Sequence, residues 1–163
     1  MKHTISILVE NEFGALARIA GLFSGRGYNI ESLTVAPTLD PAISRMTINT
    51  IGDDRTIEQI IKQLNRLISV VKVKDVTAED PITKNLALIK VNLNRRNRDK
   101  LKSIIADFDA MITISDDTCS VIQAVADDGG IIRLTEALKP YGVMEFVSTG
   151  SVAIQKGKRV IRA

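Results

Sequence analysis

Apolar residues recur near the start of the chain first in the pattern of a strand and then in that of a helix. Thr4–Val9 is a strand-like run, and a short polar loop follows it. Apolar positions then recur at the spacing of one buried helix face. These positions are Leu16, Ile19, Ala20 and Phe23. Gly27 is a natural stop for the helix. The pattern therefore predicts a strand, a polar loop and an amphipathic helix.

Two further strands are predicted next, over Tyr28–Pro37 and Ser44–Ile51, with a proline-containing turn between them. The second of these strands alternates apolar and polar residues, as a half-buried strand does. In the first strand the apolar positions change parity between Ile30 and Leu33. This change predicts a β-bulge near residues 31–32.

A second helix is predicted to start at Thr56, with Gln59 as the partner in a capping box. Its predicted buried stripe consists of Ile57, Ile60, Ile61, Leu64 and Ile68. Ser69–Val76 is predicted to form a fourth strand. The order strand, helix, strand, strand, helix, strand predicts a ferredoxin-like βαββαβ domain, with two helices on one face of an antiparallel sheet.

The same order of elements recurs in the second half of the chain. The predicted strands are Asn85–Leu93, Ala110–Ser115, Thr118–Ala126 and Val143–Ile154, and the predicted helices are Arg98–Phe108 and Gly130–Leu138. We therefore predict an α+β chain of two tandem ferredoxin-like βαββαβ domains, residues 1–76 and 85–163, joined by a polar linker at residues 77–84. Such small domains bury little core of their own and carry exposed sheet edges, so we expect dimerisation through edges or helices.

Composition excludes several classes of protein. The chain has 163 residues, of which 45% are hydrophobic and 25% charged, with a net charge of +3. The sequence has no apolar run long enough to cross a membrane and no secretory signal, so a cytoplasmic protein is expected. The single cysteine, Cys119, and the single histidine, His3, do not suffice for a disulfide or a metal site. We expect His3 to lie in a frayed N-terminus and to have no catalytic role.

The predicted fold occurs in proteins with many functions, so the function has to be inferred from particular residues. An RNA-recognition domain needs aromatic residues on its central strands, and Thr4–Val9 and Ser44–Ile51 contain none. A metal carrier needs cysteines in the first loop, which has none. The acidic pairs lie in predicted turns, and the basic segments 95–98 and 156–162 are interpreted as a solvated loop and tail. No catalytic residue, metal ligand or nucleic-acid site is predicted, and a small-molecule sensor remains.

The polar loop between the first strand and the first helix is the candidate sensor site. It turns at Gly14, directly before the helix, where the first backbone N–H groups have no intrahelical partner and the helix dipole is positive. Such a loop can hold a ligand carboxylate, and a glycine allows close approach because it has no Cβ. The alternative is that Asn11 and Gly14 only form a tight turn between strand and helix.

Three segments carry a resemblance to a known family. Asn11–Arg18, with the sequence NEFGALAR, resembles the ACT domain, the amino-acid-sensing form of this fold. With Arg26–Thr38 and Ser44–Thr47 added, the chain resembles the small regulatory subunits of acetohydroxyacid synthase (acetolactate synthase). The match covers about residues 4–76, and the second half resembles the family more loosely.

The resemblance implies a protein without catalysis of its own that forms a homodimer through its ACT domains. It would bind the catalytic large subunit, which carries thiamine diphosphate, FAD and magnesium, raise its activity and make it inhibitable by valine. The effector would lie between the ACT domains of two small subunits. The implied effector-binding residues are Asn11, Gly14, Ala15, Leu16, Asn29, Ile30 and Leu33, of which Asn29 and Ile30 belong to the partner subunit.

Two questions stay open at the level of sequence. One methylene group is worth about 1–3 kcal/mol in an apolar pocket, so valine is not separated from leucine or isoleucine. An ACT-type sensor that regulates a different enzyme or a transcriptional partner is the alternative function. The loop of the second half, residues 93–98, has no glycine and three arginines. We therefore predict that only the first half binds the effector.

Overall fold

The computed structural model describes residues 1–92, 98–116 and 118–162. The contacts of the chain group it into two compact units. The first unit contains Met1–Ile82 and Ser151–Ala163, and the second contains Thr83–Gly150.

The first unit has the predicted order of elements. They are β1 (Lys2–Glu10), α1 (Ala15–Gly25), β2 (Ile30–Pro37), β3 (Ile43–Ile51), α2 (Asp54–Leu64) and β4 (Val70–Asp75). The strands form a four-stranded antiparallel sheet in the order β2-β3-β1-β4. This is the ferredoxin-like arrangement, with β2 and β4 at the two edges of the sheet.

The predicted bulge in β2 is confirmed. Leu33 lies opposite Ile48 in β3, but the register shifts between Ile30 and Ser32. The extra residue in β2 shifts the alternation of core-facing and outward-facing positions by one. As a result, Ile30 and Leu33 both pack against the same apolar core, although three positions separate them.

The core of the first unit lies between one face of the sheet and both helices. Its buried members are Ile5, Ile7, Val9, Met46 and Ile48 from the strands and Ala15, Ile19, Phe23, Ile57, Ile60 and Leu64 from the helices. Each fully buried valine, leucine, isoleucine, phenylalanine or methionine side chain contributes about 1.5–3 kcal/mol of hydrophobic stabilisation. Two predicted members are wrong. Leu16 is 44% exposed because Ala15 faces the core in its place, and Ile68 is exposed because α2 ends at Leu64.

The predicted starts of α2 and of the last helix of the chain are both too late. We expected α2 to begin at Thr56, but Asp53 is its N-cap, and the Asp53 carboxylate accepts a hydrogen bond of 2.7 Å from the Thr56 N–H. In the second unit Asp127 caps the last helix in the same way, with 2.6 Å to the Gly130 N–H. Aspartate is a strong N-cap, which explains the earlier starts.

The second half of the chain repeats the order of elements of the first half. Its elements are β5 (Ile82–Asn92), α3 (Arg98–Asp107), β6 (Met111–Ser115), β7 (Cys119–Ala126), α4 (Asp128–Leu138) and β8 (Val143–Ile154). The sheet order is β6-β7-β5-β8. Its buried core consists of Ala87, Ile89, Val91, Leu101, Ile105, Ile122, Ala124, Ile131, Leu134 and Leu138.

The segment between the two predicted domains is more structured than a polar linker. Thr77–Glu79 forms a 3₁₀ turn, and β5 already begins at Ile82. We had expected that strand to begin at Asn85. Only residues 76–81 therefore connect β4 with β5.

The C-terminal segment groups with the first unit, whereas the predicted boundary placed all of residues 85–163 in the second domain. The Arg45 guanidinium in β3 donates a hydrogen bond of 2.9 Å to the Ala153 carbonyl, and burial lowers the pKa of Arg45. Lys156, which we interpreted as part of a solvated tail, forms an ion pair with Asp80. These contacts hold the segment in place by hydrogen bonds and charge.

Candidate functional site

The loop between β1 and α1 is fixed through Asn11. The Asn11 N–H donates to the Ala42 carbonyl at 2.7 Å, and its side-chain amide donates to the Pro41 carbonyl at 3.0 Å. Both bonds tie the loop to the turn between β2 and β3. Within the described residues, the side-chain oxygen of Asn11 accepts no hydrogen bond, and the side chain is exposed. That oxygen is available to an N–H donor such as an ammonium group.

Gly14 forms the start of α1. Its φ of 80° is left-handed, no side chain caps the helix, and the first turn contains no acidic residue. The positive end of the helix dipole is therefore not compensated by the helix itself. Arg18 adds a positive charge nearby, although it forms an ion pair with Glu12. Its Nη1 would lie 3.2 Å from a Cβ added at Gly14. The start of α1 thus favours an anionic group.

Ala15 and Leu16 occupy different environments. The Ala15 side chain is buried in the core, so only its backbone faces the loop, where its N–H donates a hydrogen bond of 3.4 Å to the Glu12 carbonyl. Leu16 is half-exposed on the first turn of α1. Its exposure contradicts the predicted core role, but it leaves an aliphatic side chain next to the polar loop.

The other predicted residues lie on β2 and immediately before it. The Asn29 side chain is exposed and donates to Glu31 Oε1 at 2.6 Å, and the Asn29 carbonyl accepts from the Thr50 hydroxyl at 2.6 Å. Ile30 and Leu33 are half-buried on the core face. Asn29 is therefore available to a ligand at the surface, and Ile30 offers only part of its side chain.

The two groups of predicted residues lie at opposite ends of one sheet. Ile30 pairs with Thr50, which pairs with His3, whereas Asn11 directly follows Glu10. Along β1, Glu10 lies seven residues after His3, which corresponds to roughly 23 Å at 3.3 Å per residue. A free amino acid is far too short to contact both groups in one chain. The structure brings Asn11 and Gly14 together and keeps Asn29 and Ile30 apart from them.

The prediction that His3 lies in a frayed N-terminus is wrong. His3 lies in β1, is 4% exposed and has its ring in a hydrogen bond with Asp75 in β4. It has the parity of Ile5 and Ile7 in the same strand, and this alternation was the signal that placed it on the core face. A cavity of about 280 Å³ adjoins it, at the end of β1 remote from the loop.

The described part of the chain has neither a membrane-spanning helix nor a metal-binding cluster. None of its helices is long and apolar enough to span a membrane. Across residues 1–92, 98–116 and 118–162, no three histidine, cysteine, aspartate or glutamate side chains are placed to hold a metal ion. The second-half loop that we compared with Asn11–Gly14, residues 93–98, has its positions 93–97 outside the described residues.

Two family models match the chain. Residues 5–72 match the model described as AHAS small subunit-like ACT domain, and residues 84–157 match the model described as small subunit of acetolactate synthase. The first match contains the loop and β2, and the second covers most of the second unit.

Individual proteins match over nearly the whole chain. An acetolactate synthase small subunit of Aquifex aeolicus is 46% identical over 95% of this chain and 81% of its own length. The acetolactate synthase isozyme 3 small subunit of Escherichia coli is 37% identical over 99% of this chain and 100% of its own. The crystal structure of an acetolactate synthase small subunit from Thermotoga maritima superposes with a TM-score of 0.90, at 32% identity, and covers 98% of this chain and 99% of that one.

Proposed function

Because the chain belongs to the family of acetolactate synthase small subunits, we propose that it binds the catalytic large subunit, raises its activity and makes it sensitive to valine. The chain is a regulatory subunit and not itself the enzyme, since its relatives are small subunits of acetolactate synthase. Thiamine diphosphate, FAD and magnesium belong to the catalytic partner in this proposal. A cytoplasmic location is part of the same proposal.

Valine is proposed to bind with its polar end at the β1–α1 loop. Its carboxylate accepts backbone N–H groups at the start of α1, where no side chain caps the helix. Its ammonium group donates to the side-chain oxygen of Asn11, which is exposed and has no partner within the described residues. Leu16 provides apolar contact for the isopropyl group. Leucine or isoleucine would differ by about 1–3 kcal/mol in such a pocket, so valine is the effector that the family resemblance favours.

The observation that carries the proposal is the separation of Asn11 and Asn29 along the sheet. β2 is an edge strand, and its last residues, Val35 to Pro37, are exposed. If two copies pair antiparallel through β2 around a two-fold axis, the Asn29 end of one strand lies beside the Pro37 end of the other. Pro37 pairs with Ser44 in β3, close to the turn that binds Asn11. A dimer thus places the two groups next to each other.

Each dimer of this kind contains two equivalent sites. Asn11, Gly14 and Leu16 come from one subunit, and Asn29 and Ile30 of the partner subunit close the other side. Pairing through β2 also satisfies the unpaired backbone groups of an exposed sheet edge. The site is complete only in one relative placement of the two chains.

Because the site is complete only in one arrangement of the dimer, valine can regulate by stabilising that arrangement. A ligand shifts a conformational equilibrium only by the difference between its affinities for the two states. A pocket shared between subunits supplies such a difference, because it binds well in one arrangement and poorly in another. Valine then stabilises the arrangement in which the catalytic subunit is less active.

The test is reconstitution with the catalytic subunit. Acetolactate formation is measured for the catalytic subunit alone, with this chain, and with this chain plus valine. We expect this chain to increase the rate and valine to reverse the increase. An unchanged rate in a mixture that forms a stable complex would contradict the proposal. A fragment that ends near residue 78 is a poor substitute for the full chain, because it lacks the C-terminal segment of the first unit.

A further inference from the structure

The cavity beside His3 is separate from the effector loop and lies between β1, β4 and α2 of the first unit. It has a volume of about 280 Å³ and is lined by His3, Asp54, Ile57, Glu58, Ile61 and Asp75. This volume is just below the range for small-molecule pockets, so a ligand with only a few carbon atoms fits it. All of the lining residues belong to one unit, and the cavity does not depend on dimerisation.

The hydrogen bonds of Asp75 set the orientation of the His3 ring. Asp75 Oδ2 lies 3.0 Å from His3 Nδ1, and Asp75 Oδ1 accepts the Thr77 N–H at 2.9 Å and also the Thr77 hydroxyl. A carboxylate that accepts at both oxygens requires a donor on the ring, so Nδ1 carries the proton. In the neutral ring the lone pair is then on Nε2.

The Nε2 atom of His3 is buried and has no hydrogen-bond partner within the described residues. Its nearest charged neighbour is Asp54 Oδ1, at 3.9 Å. This distance is too long for a hydrogen bond, and both atoms are acceptors when the ring is neutral. A single donor group placed between them can bond to both. An N–H donor at this position would also satisfy the buried ring nitrogen.

The charges around the cavity favour a cation. Asp54 and Glu58 face it from α2, and Asp75 faces it from β4. The start of α2 contributes about half a positive charge, which does not offset three carboxylates. Glu58 is also paired with Lys62 at 2.6 Å. Ile57 and Ile61 supply aliphatic walls.

A metal ion is not the occupant that this arrangement favours. No three suitable side chains in the described part of the chain lie close enough together for coordination. An ammonium or guanidinium group needs only two acceptors and can keep bonds to solvent on its remaining N–H groups.

We propose that this cavity binds a small organic cation, in which an ammonium or guanidinium group on a short aliphatic chain donates to His3 Nε2 and to the Asp54 carboxylate. The aliphatic part lies against Ile57 and Ile61. The cation can come from a free molecule or from a lysine or arginine side chain of another protein, since both offer the same chemistry. The proposal does not rest on valine regulation.

His3 is the single histidine of the chain, so its ring gives one assignable set of NMR signals. The full-length protein is titrated with n-butylammonium at pH 7.5 while the ¹⁵N shift of Nε2 is followed. We expect a saturable shift with n-butylammonium and none with tetramethylammonium, which has the same charge but no N–H donor. The absence of a saturable shift, or an equal shift with both ions, would overturn the proposal. A protonated Nε2 in the free protein would overturn it as well, because the acceptor would not exist.

A matched pair of variants tests the role of Asp54. The Asp54 side chain is 91% exposed, so Asp54→Asn leaves the packing of the unit intact. We expect n-butylammonium to bind about two- to fivefold more weakly to this variant, as for loss of one exposed charged contact. Asp107→Asn, at an exposed position in the second unit, should bind as the parent does. Equal affinity of both variants would refute the assignment of Asp54.

A second titration distinguishes the two sources of the cation. The peptide Ala-Lys-Ala, with blocked ends, carries the same butylammonium group on a protein-like backbone. If the peptide shifts the His3 signal with an affinity similar to that of n-butylammonium, the site accepts a protein side chain. If only the free amine binds, the ligand is a small molecule.

Discussion

Replacing Gly14 with aspartate places a Cβ and a negative charge at the start of α1, where we propose that the carboxylate of valine binds. Gly14 has a φ of 80°, and a Cβ added there lies 3.2 Å from the Arg18 Nη1 atom and 4.0 Å from its Cζ. Both are at the end of a flexible side chain, so this contact can relax. Gly14→Asp therefore changes the loop mainly through charge and backbone strain.

The backbone strain lowers the folding stability, whereas the added charge weakens valine binding. A non-glycine residue in the left-handed region costs roughly 1–2 kcal/mol of folding stability, and less for aspartate than for most residues. Two like charges about 4 Å apart repel by about 1 kcal/mol in water and about 4 kcal/mol near a protein surface. For an exposed loop we take about 2 kcal/mol, which corresponds to roughly thirtyfold weaker valine binding. Valine binding should thus be strongly weakened while the fold persists.

The assay measures acetolactate formation with the catalytic subunit at increasing valine, together with calorimetry of valine binding to the variant. We expect Gly14→Asp to retain activation and to need roughly thirtyfold more valine for the same inhibition. Gly14→Asn has nearly the same size without the charge, so it should retain more of the inhibition. Gly157→Asp introduces the same substitution at a φ of 70° with nothing within 4 Å, and it should behave as the parent.

Two results would refute this reasoning. Unchanged valine inhibition in a folded Gly14→Asp variant would show that the carboxylate does not bind at this loop. Equal loss of activation and inhibition would show that the loop serves folding or assembly.

Three further predictions concern binding, core packing and pH. Asn11→Ala and Asn29→Ala each remove about one hydrogen bond, so valine inhibition should weaken by about tenfold or less in the reconstituted assay. Phe23→Ala should lower the free energy of unfolding by about 3–5 kcal/mol in urea titrations, because Phe23 is buried in the first core. The pKa of Asp116 lies well below its usual range because it accepts the Thr118 and Cys119 N–H groups. Its stabilisation is therefore present at neutral pH and lost in acid, so the melting temperatures of the parent and Asp116→Asn should converge as the pH falls below about 4.

Much of the fold follows from periodicity. The alternation in β1 and β3 and the helical stripes of α1 and α2 predict the elements that form, because these patterns reflect which face each element buries. The parity change between Ile30 and Leu33 even locates the bulge. These features are local, and the sequence alone suffices for them.

The features that the sequence did not predict depend on contacts between distant residues. The buried His3 ring shares a hydrogen bond with Asp75, which lies 72 positions later in the chain. The position of the C-terminal segment depends on Arg45 in the first unit. For the site, the sequence identifies the loop at Gly14, but the separation of Asn29 from Asn11 follows only from the strand register.

The most direct test of the shared pocket uses mixed dimers. Differently tagged Gly14→Asp and Asn29→Ala chains are expressed together, and the heterodimer is isolated for calorimetry with valine. If each pocket is built from two chains, the heterodimer contains one pocket with both substitutions and one pocket with neither. We predict one valine bound per heterodimer with the affinity of the parent protein, although each homodimer binds weakly. Uniformly weakened binding, with no site of parental affinity, would show that each pocket lies within a single chain and would contradict the account.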